Sequence, residues 1–438
     1  MPIKKAAMMT KDILFFCILH LCAFFVVIMN GGIWAHNRTY DLTFWEEYDT
    51  LLTILFVTVS VLLIFSVKTI KFTKSWAHIA FVLMCSVLYL VNSDDGYNKT
   101  LYKQYFFIPL VLFIILFGLI KNKELFWRAF SNIVCTLSVV SLFFYIFGTW
   151  LRLISPTQHI IRGWGSWGPN PIPNFYYVYY QSQATHPGDF TLWRNCSIFA
   201  EAPMFNMVLC MALAAEVFLF RRKKGRRFVV ALLIITIITT FSTTGYLFLA
   251  LLGVLFLLNS SRFMSFCKNH RKIFFATLAL FVGVCALMIT IKLHSRTGSV
   301  STSIRVDHTL TCLQIWKDNF LFGDGWLKDD NFLQLAQFAF GISVGFPYFL
   351  KCGGIMLGSL VLVPYVVSVI FAFKNKDLKI FSFNTLFMML FVFTAVVRFP
   401  IVVTFIAYNV FACSSSIATD SSTAWVSKVG QAREFQKE

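Results

Sequence analysis

Long apolar stretches separated by short polar segments follow one another along nearly the whole chain. An apolar run of about 18 residues or more with few charges is typical of a transmembrane helix. The pattern therefore predicts an all-α, polytopic membrane protein, a single integral membrane domain over 1–438 with about 12 transmembrane helices. The predicted spans are 13–29, 51–67, 76–92, 105–120, 129–149, 197–220, 228–242, 244–258, 273–291, 354–373, 380–397 and 399–416.

The apolar run 228–258 allows two interpretations. As one helix it would be about 46 Å long, which exceeds a hydrocarbon core of about 30 Å unless the helix is strongly tilted. Both flanking segments, 221–227 and 262–272, are basic, which favours an even number of crossings. Ser242-Thr243-Thr244-Gly245 predicts a break between two short spans, because hydroxyl side chains and glycine ease an interruption. One tilted helix is the alternative, and it would invert the topology of everything downstream.

The basic residues orient the predicted spans. Lysines and arginines gather in alternate short segments between spans, and the positive-inside rule places such segments in the cytoplasm. Both termini are then expected in the cytoplasm, and two large loops, 150–196 and 292–353, are expected on the extracytoplasmic face. The basic segments are 68–74, 121–128, 221–227, 262–272 and 374–379.

Composition agrees with a membrane setting and excludes other classes. Hydrophobic residues make up 58% of the chain and charged residues 13%, which lies outside the range of soluble globular proteins. The net charge of +18 is carried largely by short loops, where it meets the lipid bilayer, so nucleic acid is not an expected partner. The 11 cysteines contain no Cys-x-x-Cys pair, which argues against a disulfide framework or a cysteine metal site.

Arginines on the predicted outer face run against the positive-inside bias and need another explanation. A guanidinium binds phosphate bidentately and stays charged at any working pH, so a group of them suits a lipid-linked diphosphate. The alternative is that each arginine caps a helix end or reaches to the lipid head groups. These outer arginines are Arg152, Arg162, Arg194, Arg296, Arg305 and Arg398.

Carboxylates and aromatic residues complete the candidate chemistry of the outer loops. If the segment is helical, Arg194 and Glu201 lie two turns apart on nearly one face. Glu201 then serves as a base for an incoming hydroxyl or as the partner that orients an arginine. The aromatic segment 164–180 offers faces for sugars or forms an interfacial belt. Further proton-handling candidates are Asp307, His308, Asp324, Asp329 and Asp330, with His308 expected to be a hydrogen-bonded structural residue.

Short motifs in the second half of the chain resemble one family of membrane enzymes. Arg194–Pro203, with Arg194, Phe199, Glu201 and Pro203, resembles the Arg-x-x-Gly-x-Phe-x-Glu-Pro signature of bacterial O-antigen and capsule polymerases of the Wzy type. These polymerases share a superfamily with the O-antigen ligases.

The resemblance continues in chain order and covers residues 190–375. The matching stretches are Phe241–Gly245, similar to the family's serine-containing span; Ser303–Arg305 with Asn319–Gly325, similar to its arginine helix and Gly-x-Gly turn; and Asp330 through Gly354, similar to the stretch that re-enters the membrane. Ser197 stands where the family has glycine. Asp330 stands where ligases carry a histidine before Asn331, a difference that favours a polymerase.

The resemblance implies a fold and a reaction. The fold would be a GT-C-like membrane glycosyltransferase of the bacterial cytoplasmic membrane, working with neither metal nor cofactor. It would transfer a glycan from undecaprenyl diphosphate onto the next lipid-linked repeat unit. The alternatives are a ligase that moves the glycan to another acceptor, or a lipid-linked oligosaccharide flippase. A flippase would have charges along a path through many spans, whereas here they collect on one face.

The same resemblance implies that Arg194 and Arg305 would bind the diphosphate, and it leaves the general base open. The outer-face pattern adds Arg162 and Arg398 as further diphosphate candidates, and Glu201 or Asp330 as the catalytic residue that acts on the acceptor hydroxyl. Lipid-linked repeat units would be the substrates, and a chain-length regulator and a flippase would be the protein partners.

Overall fold

The computed structural model describes residues 2–34, 42–67, 76–93, 96–164, 167–185, 191–220, 225–259, 296–338, 341–375 and 378–412. The side chains of 2–11, 42–49, 162–164, 167–170 and 296–300 lie outside this description. The protein is mostly helical, as the hydrophobic pattern predicts. The predicted span 273–291 lies outside the described residues.

Thirteen helices follow one another through the described residues, and most coincide with a predicted span. Two of them, α4 and α5, contain a π-helical stretch, at Lys103–Phe107 and Tyr145–Trp150, and α6 ends in one. In chain order they are α1 Pro2–Ile28, α2 Leu42–Ser66, α3 Trp76–Asn92, α4 Tyr97–Leu119, α5 Glu124–Trp150, α6 Ala202–Leu219, α7 Arg226–Thr239, α8 Thr243–Leu258, α9 Arg296–Asp318, α10 Asp330–Leu335, α11 Phe346–Asn375, α12 Leu378–Phe393 and α13 Pro400–Ala412.

The first large loop contains two small antiparallel sheets, which the all-α prediction lacks. One sheet has the order β1-β2-β3, with β1 Gln158–Trp164, β2 Trp167–Phe175 and β3 Tyr179–Tyr180; the other pairs β4 Ala184–Thr185 with β5 Leu192–Trp193. Prolines in β2 argue against a strand in sequence terms. Pro171 and Pro173 are two residues apart, however, so their missing N–H groups both lie on the side of β2 away from β1. On that side Pro173 O accepts from Gln181 N (3.0 Å), just after β3.

Four helices among the described residues are long and apolar enough to cross a membrane: α4, α5, α6 and α11. Six more apolar helices are shorter, within α1, α2, α3, α8, α12 and α13. A helix of 16 residues, such as α8, is about 24 Å long, shorter than a hydrocarbon core of about 30 Å. The helices make this a membrane protein, while twelve crossings stay a prediction.

Helix α6 lies at the centre of the described structure. In its most apolar stretch of 18 residues, 78% is buried, the largest share among the four long helices. The helix contacts α5, α7, α8 and α12. A Cβ at Gly245 of α8 would lie 2.4 Å from Asn206 Oδ1 of α6, so the glycine lets the two helices approach closely without displacing that side chain. The start of α8 is thereby held against the N-terminal half of α6.

The predicted break within 228–258 is present. Helix α7 ends at Thr239 and α8 begins at Thr243. Helix α7 runs antiparallel to α6, because Arg226 Nη2 donates to Val217 O near the end of α6, and Asn195 N, just before α6, donates to Thr239 O. The turn between α7 and α8 therefore lies at the same end of the bundle as Arg194. That α7 and α8 each cross a membrane stays a prediction.

Helix α11 is kinked at Gly354, whose φ is 56° and ψ is −156°. A kink frees backbone groups, which must find other partners in an apolar setting. The turn 320–324, after α9, and a tyrosine of α3 supply them. The hydrogen bonds are Ile355 N to Phe320 O (2.9 Å), Met356 N to Leu321 O (3.2 Å), Asp324 N to Lys351 O (2.7 Å) and Tyr89 Oη to Cys352 O (3.0 Å).

Candidate functional site

The segment from Arg194 to Glu201 is not helical, so the helical spacing considered for these two residues is wrong. Asn195 prevents a helix here, because its N–H bonds Thr239 O and its side chain bonds Ser141 Oγ (3.3 Å) and Thr239 Oγ1 (3.1 Å). The following residues pair with the chain after α1, through the Gly32–Phe199 bridge. Helix α6 begins at Ala202 rather than at the predicted 197.

Ser197 adopts a left-handed backbone conformation, with φ 52°. Glycine takes this conformation without strain, while other residues rarely do. The position therefore suits the glycine of the motif that the segment resembles. Serine is accommodated there because Asn195 Oδ1 accepts from Ser197 N (3.3 Å) and Ser197 O accepts from Tyr180 N (2.9 Å).

The Arg194 guanidinium is fixed against the α7–α8 turn. Its Nε donates to Thr240 O (2.8 Å) and its Nη1 donates to Gln183 Oε1 (3.1 Å). Gln183 Oε1 also accepts from Ala202 N (3.1 Å), which ties the arginine to the first turn of α6. Gln183 is uncharged, so a search for ionisable residues in the sequence passes over it.

Arg305, on α9, reaches the same turn from the other large loop. Its Nη1 lies 3.5 Å from Thr244 Oγ1, in the first turn of α8. Burial lowers the pKa of Arg305, and the charge of Arg194 lowers that pKa further, which means that the two guanidinium groups interact. Burial also lowers the pKa of Arg194. Both remain charged at working pH, because the pKa of an arginine starts above 12.

The N-terminus of α8 between these arginines has no side-chain cap. Ser242 is its N-cap residue and is 3% exposed, but its hydroxyl makes no capping hydrogen bond. The backbone N–H groups of a first helical turn lack intrahelical partners and carry partial positive charge, which makes such a terminus an anion-binding element. Two arginines and an uncapped helix N-terminus therefore concentrate positive charge around Ser242 and Thr244.

Glu201 lies beside this cluster. It is the half-buried N-cap residue of α6. Burial lowers the pKa of Arg194, and the negative charge of Glu201 raises that pKa by a smaller amount. Its own side chain makes no capping hydrogen bond. Glu201 is thus an acidic group whose charge acts on Arg194, a position that fits both roles predicted for it.

The other predicted site residues belong to other elements of the fold. Arg162 is in β1, paired in register with Asn170, and its side chain lies outside the described part. Arg398 lies between α12 and α13, with its guanidinium 5.5 Å from the centroid of the Phe399 ring. Asp330 is the exposed first residue of α10.

Asp307 and His308 anchor α9, which carries Arg305. His308 is fully buried; its Nδ1 accepts from Ser343 N (3.1 Å), so its protonated Nε2 donates to Phe338 O (2.9 Å). Asp307 Oδ2 accepts from Phe338 N (3.1 Å). His308 is thus the hydrogen-bonded structural residue that was predicted.

A buried lysine at the kink of α11 organises a second charged cluster. Lys351 is 0% exposed, and its Nζ lies 3.7 Å from Asp324 Oδ2 and 3.4 Å from Asp329 Oδ1. Tyr348 Oη donates to Asp329 Oδ1 (2.8 Å), and Asn331 Nδ2 donates to Asp324 Oδ1 (2.7 Å). Sequence analysis missed Lys351, because it lies close to predicted span 354–373 among apolar residues.

The aromatic segment 164–180 is divided between the core and the surface. Phe175, Tyr179 and Tyr180 are buried, and Tyr179 Oη is hydrogen-bonded to Thr149 Oγ1 (3.1 Å), so these three rings are not available to a sugar. Tyr176 and Tyr177 are exposed, at 61% and 50%.

Comparison with known proteins adds no relative: no family model matches the chain, and no curated protein matches it. The likeness to O-antigen polymerases therefore rests on short motifs alone. The functional argument depends on the geometry around the α7–α8 turn.

Proposed function

We propose that this protein is a polysaccharide polymerase that transfers a glycan from undecaprenyl diphosphate onto the next lipid-linked repeat unit. The observation that carries the proposal is the approach of Arg194 and Arg305, from two separate loops, to the uncapped N-terminus of α8. Like charges brought together in a half-buried site repel each other, and an anion with several oxygens relieves that repulsion. A diphosphate has the charge and the acceptor oxygens for both arginines and the helix terminus.

The proposal includes a location and a topology. The protein would lie in a bacterial cytoplasmic membrane with about 12 spans, both termini inside, and a GT-C-like fold. The Arg194–Arg305 site would then face the extracytoplasmic side, where the diphosphate of a flipped lipid carrier lies at the membrane surface. Support comes from the apolar helices and from the basic segments that precede or follow them.

The chemistry follows from the position of the groups. The acceptor hydroxyl oxygen attacks the anomeric carbon of the donor glycan, and the bond from that carbon to the diphosphate oxygen breaks. Glu201, beside Arg194, takes the hydroxyl proton, while Arg194, Arg305 and the α8 terminus stabilise the charge on departing undecaprenyl diphosphate. Asp330 is set aside in favour of Glu201, because Glu201 is the carboxylate whose charge acts on Arg194.

Arg194→Ala and Arg305→Ala are each expected to lower long-chain polymer by roughly 100-fold or more, because each removes a cation that stabilises the leaving group. Single repeat units should still appear on the outer surface. Gel analysis of surface glycans from cells that carry each variant measures both quantities.

Arg152→Ala is the matched control, since Arg152 is an exposed arginine in the same large loop as Arg194. It should leave the polymer ladder unchanged. A ladder that persists in both site variants would contradict the mechanism, and loss of outward-exposed repeat units would point to a flippase instead.

A further inference from the structure

The two-stranded sheet of β4 and β5 sets Gln183 opposite Arg194. Ala184 pairs with Trp193 in this sheet, and Arg194 N donates to Gln183 O (2.9 Å), which extends the same register by one residue. Directly opposed residues of an antiparallel pair project their side chains to the same face, where they contact each other. The contact here is the hydrogen bond from Arg194 Nη1 to Gln183 Oε1 (3.1 Å). The small sheet therefore explains why these two side chains meet.

The Gln183 side chain also completes the start of α6. Glu201, the N-cap residue, makes no side-chain capping bond, and Gln183 Oε1 instead accepts from Ala202 N (3.1 Å). The N–H groups of a first helical turn have no intrahelical partner, so this bond replaces a cap. Because both donors, Arg194 Nη1 and Ala202 N, bond the same atom, that atom is the carbonyl oxygen of the amide and not its nitrogen.

Local electrostatics favour a carboxylate at position 183. A carboxylate oxygen accepts a stronger hydrogen bond from a guanidinium than an amide oxygen does, and a negative charge also stabilises a helix N-terminus. The chain nevertheless has glutamine there, which keeps the acceptor geometry without the negative charge. A local choice that gives up stability is typical of functional sites, because the requirement of the site overrides it.

The neutral amide leaves the arginine site with a net positive charge. Every hydrogen-bond acceptor of the two guanidinium groups within the described structure is uncharged: Thr240 O and Gln183 Oε1 for Arg194, and Thr244 Oγ1 for Arg305. Glu201 adds one negative charge that acts on Arg194. Arg194, Arg305 and Glu201 together therefore carry one positive charge. A second carboxylate would cancel that charge and remove the net attraction for an anion.

We propose that Gln183 is the positioning residue of the diphosphate site. It fixes the Arg194 guanidinium through an uncharged acceptor, so that the arginine is held in place while its charge stays available to the ligand. This assignment rests on the function proposed above. A guanidinium has five N–H donors, and two of those of Arg194 have partners among the described residues, which leaves three for phosphate oxygens.

Gln183→Glu tests the proposal, because it keeps the acceptor oxygen and adds one negative charge. Purified full-length protein in lipid nanodiscs is titrated with undecaprenyl diphosphate. Binding should weaken roughly 10- to 100-fold, because the ligand loses the attraction of one cation. The variant should withstand heating at least as well as wild type, since the carboxylate bonds both of its donors more strongly. Wild-type affinity in Gln183→Glu would overturn the proposal, because a merely structural glutamine predicts that result.

Gln158→Glu is the matched control. Gln158 is an exposed residue of β1 in the same large loop, and its Oε1 accepts from an uncharged donor, Tyr177 Oη. The change adds the same charge at a residue that bonds neither Arg194 nor Arg305 in the described structure. It should leave diphosphate binding unchanged. An equal loss in both glutamine variants would mean that the overall charge of the loop decides binding, and would overturn the assignment.

Gln183→Met gives an independent test of the positioning role. Methionine has a similar volume but offers Arg194 and Ala202 no oxygen, so heat resistance should fall and diphosphate binding should weaken about three- to tenfold. In Gln183→Glu, by contrast, only binding falls, which separates the charge from the structural effect. Diphosphate binding by Gln183→Met at wild-type affinity would show that Arg194 does not depend on the glutamine. That result overturns the proposal even where Gln183→Glu yields too little folded protein.

The two proposals fail in different ways. If Arg194→Ala weakens diphosphate binding and Gln183→Glu does not, the assignment of Gln183 is wrong and the polymerase stands. If Gln183→Glu weakens binding but polymer survives both Arg194→Ala and Arg305→Ala, Gln183 positions an arginine in an anion site of a protein with another activity.

Discussion

Gly354→Ala is expected to leave little folded protein, with a loss of stability of more than about 4 kcal/mol. The φ of 56° and ψ of −156° at Gly354 belong to a region that residues with a Cβ essentially avoid. A Cβ at this position would also lie 2.4 Å from Leu321 O. Relief of that overlap would displace the turn 320–324 and break the hydrogen bonds that satisfy the kinked backbone of α11.

The measurement is the fraction of protein that stays monodisperse in size-exclusion chromatography after heating. Gly253→Ala provides the control, since it makes the same change within α8, where nothing lies within 4 Å of the added Cβ. It should be neutral or slightly stabilising, because alanine favours a helix more than glycine does. Equal heat resistance of Gly354→Ala and wild type would disprove the kink.

Lys351→Met is expected to destabilise the protein by about 3–5 kcal/mol. Lys351 is fully buried, and its removal leaves the Asp324 carboxylate, at 7% exposure, without its cation. The effect should be smaller in the double variant Lys351→Met with Asp324→Asn, because the uncompensated charge is then absent as well.

The same heating assay measures this loss. Lys317→Met, at an exposed position on α9, is the control and should behave as wild type. If Lys351→Met were as stable as Lys317→Met, the buried ion pair would not hold α11 to the turn after α9.

The sequence pattern was sufficient to predict a structural feature where a single local physical rule decides it. The break within 228–258 was predictable, because Ser242, Thr243, Thr244 and Gly245 stand in the middle of a run too long for one crossing. The order of motifs also named Arg194 and Arg305, the two arginines that the structure brings to one turn. Nothing in the spacing of 194, 242 and 305 along the chain, however, predicts that they meet.

Other features depend on contacts between segments that are distant in the sequence, and therefore could not be predicted from the sequence. The non-helical path from Arg194 to Glu201 is set by bonds from Asn195 to residues of α5 and α7. The strand β2 was hidden by its prolines, which are tolerated because they alternate on the side away from β1. Lys351 looks misplaced in an apolar stretch until Asp324 and Asp329 are found beside it.

The central claim is that Arg194 and Arg305 hold a diphosphate at the start of α8. Its most direct test is the binding of undecaprenyl diphosphate to purified full-length protein in lipid nanodiscs. Arg194→Ala and Arg305→Ala should each weaken binding by roughly 10- to 100-fold, the value of a charged hydrogen bond, while Arg152→Ala binds as wild type does. Undecaprenol, which lacks phosphate, should not distinguish these proteins. Unchanged undecaprenyl diphosphate binding in the double variant Arg194→Ala with Arg305→Ala would contradict the claim.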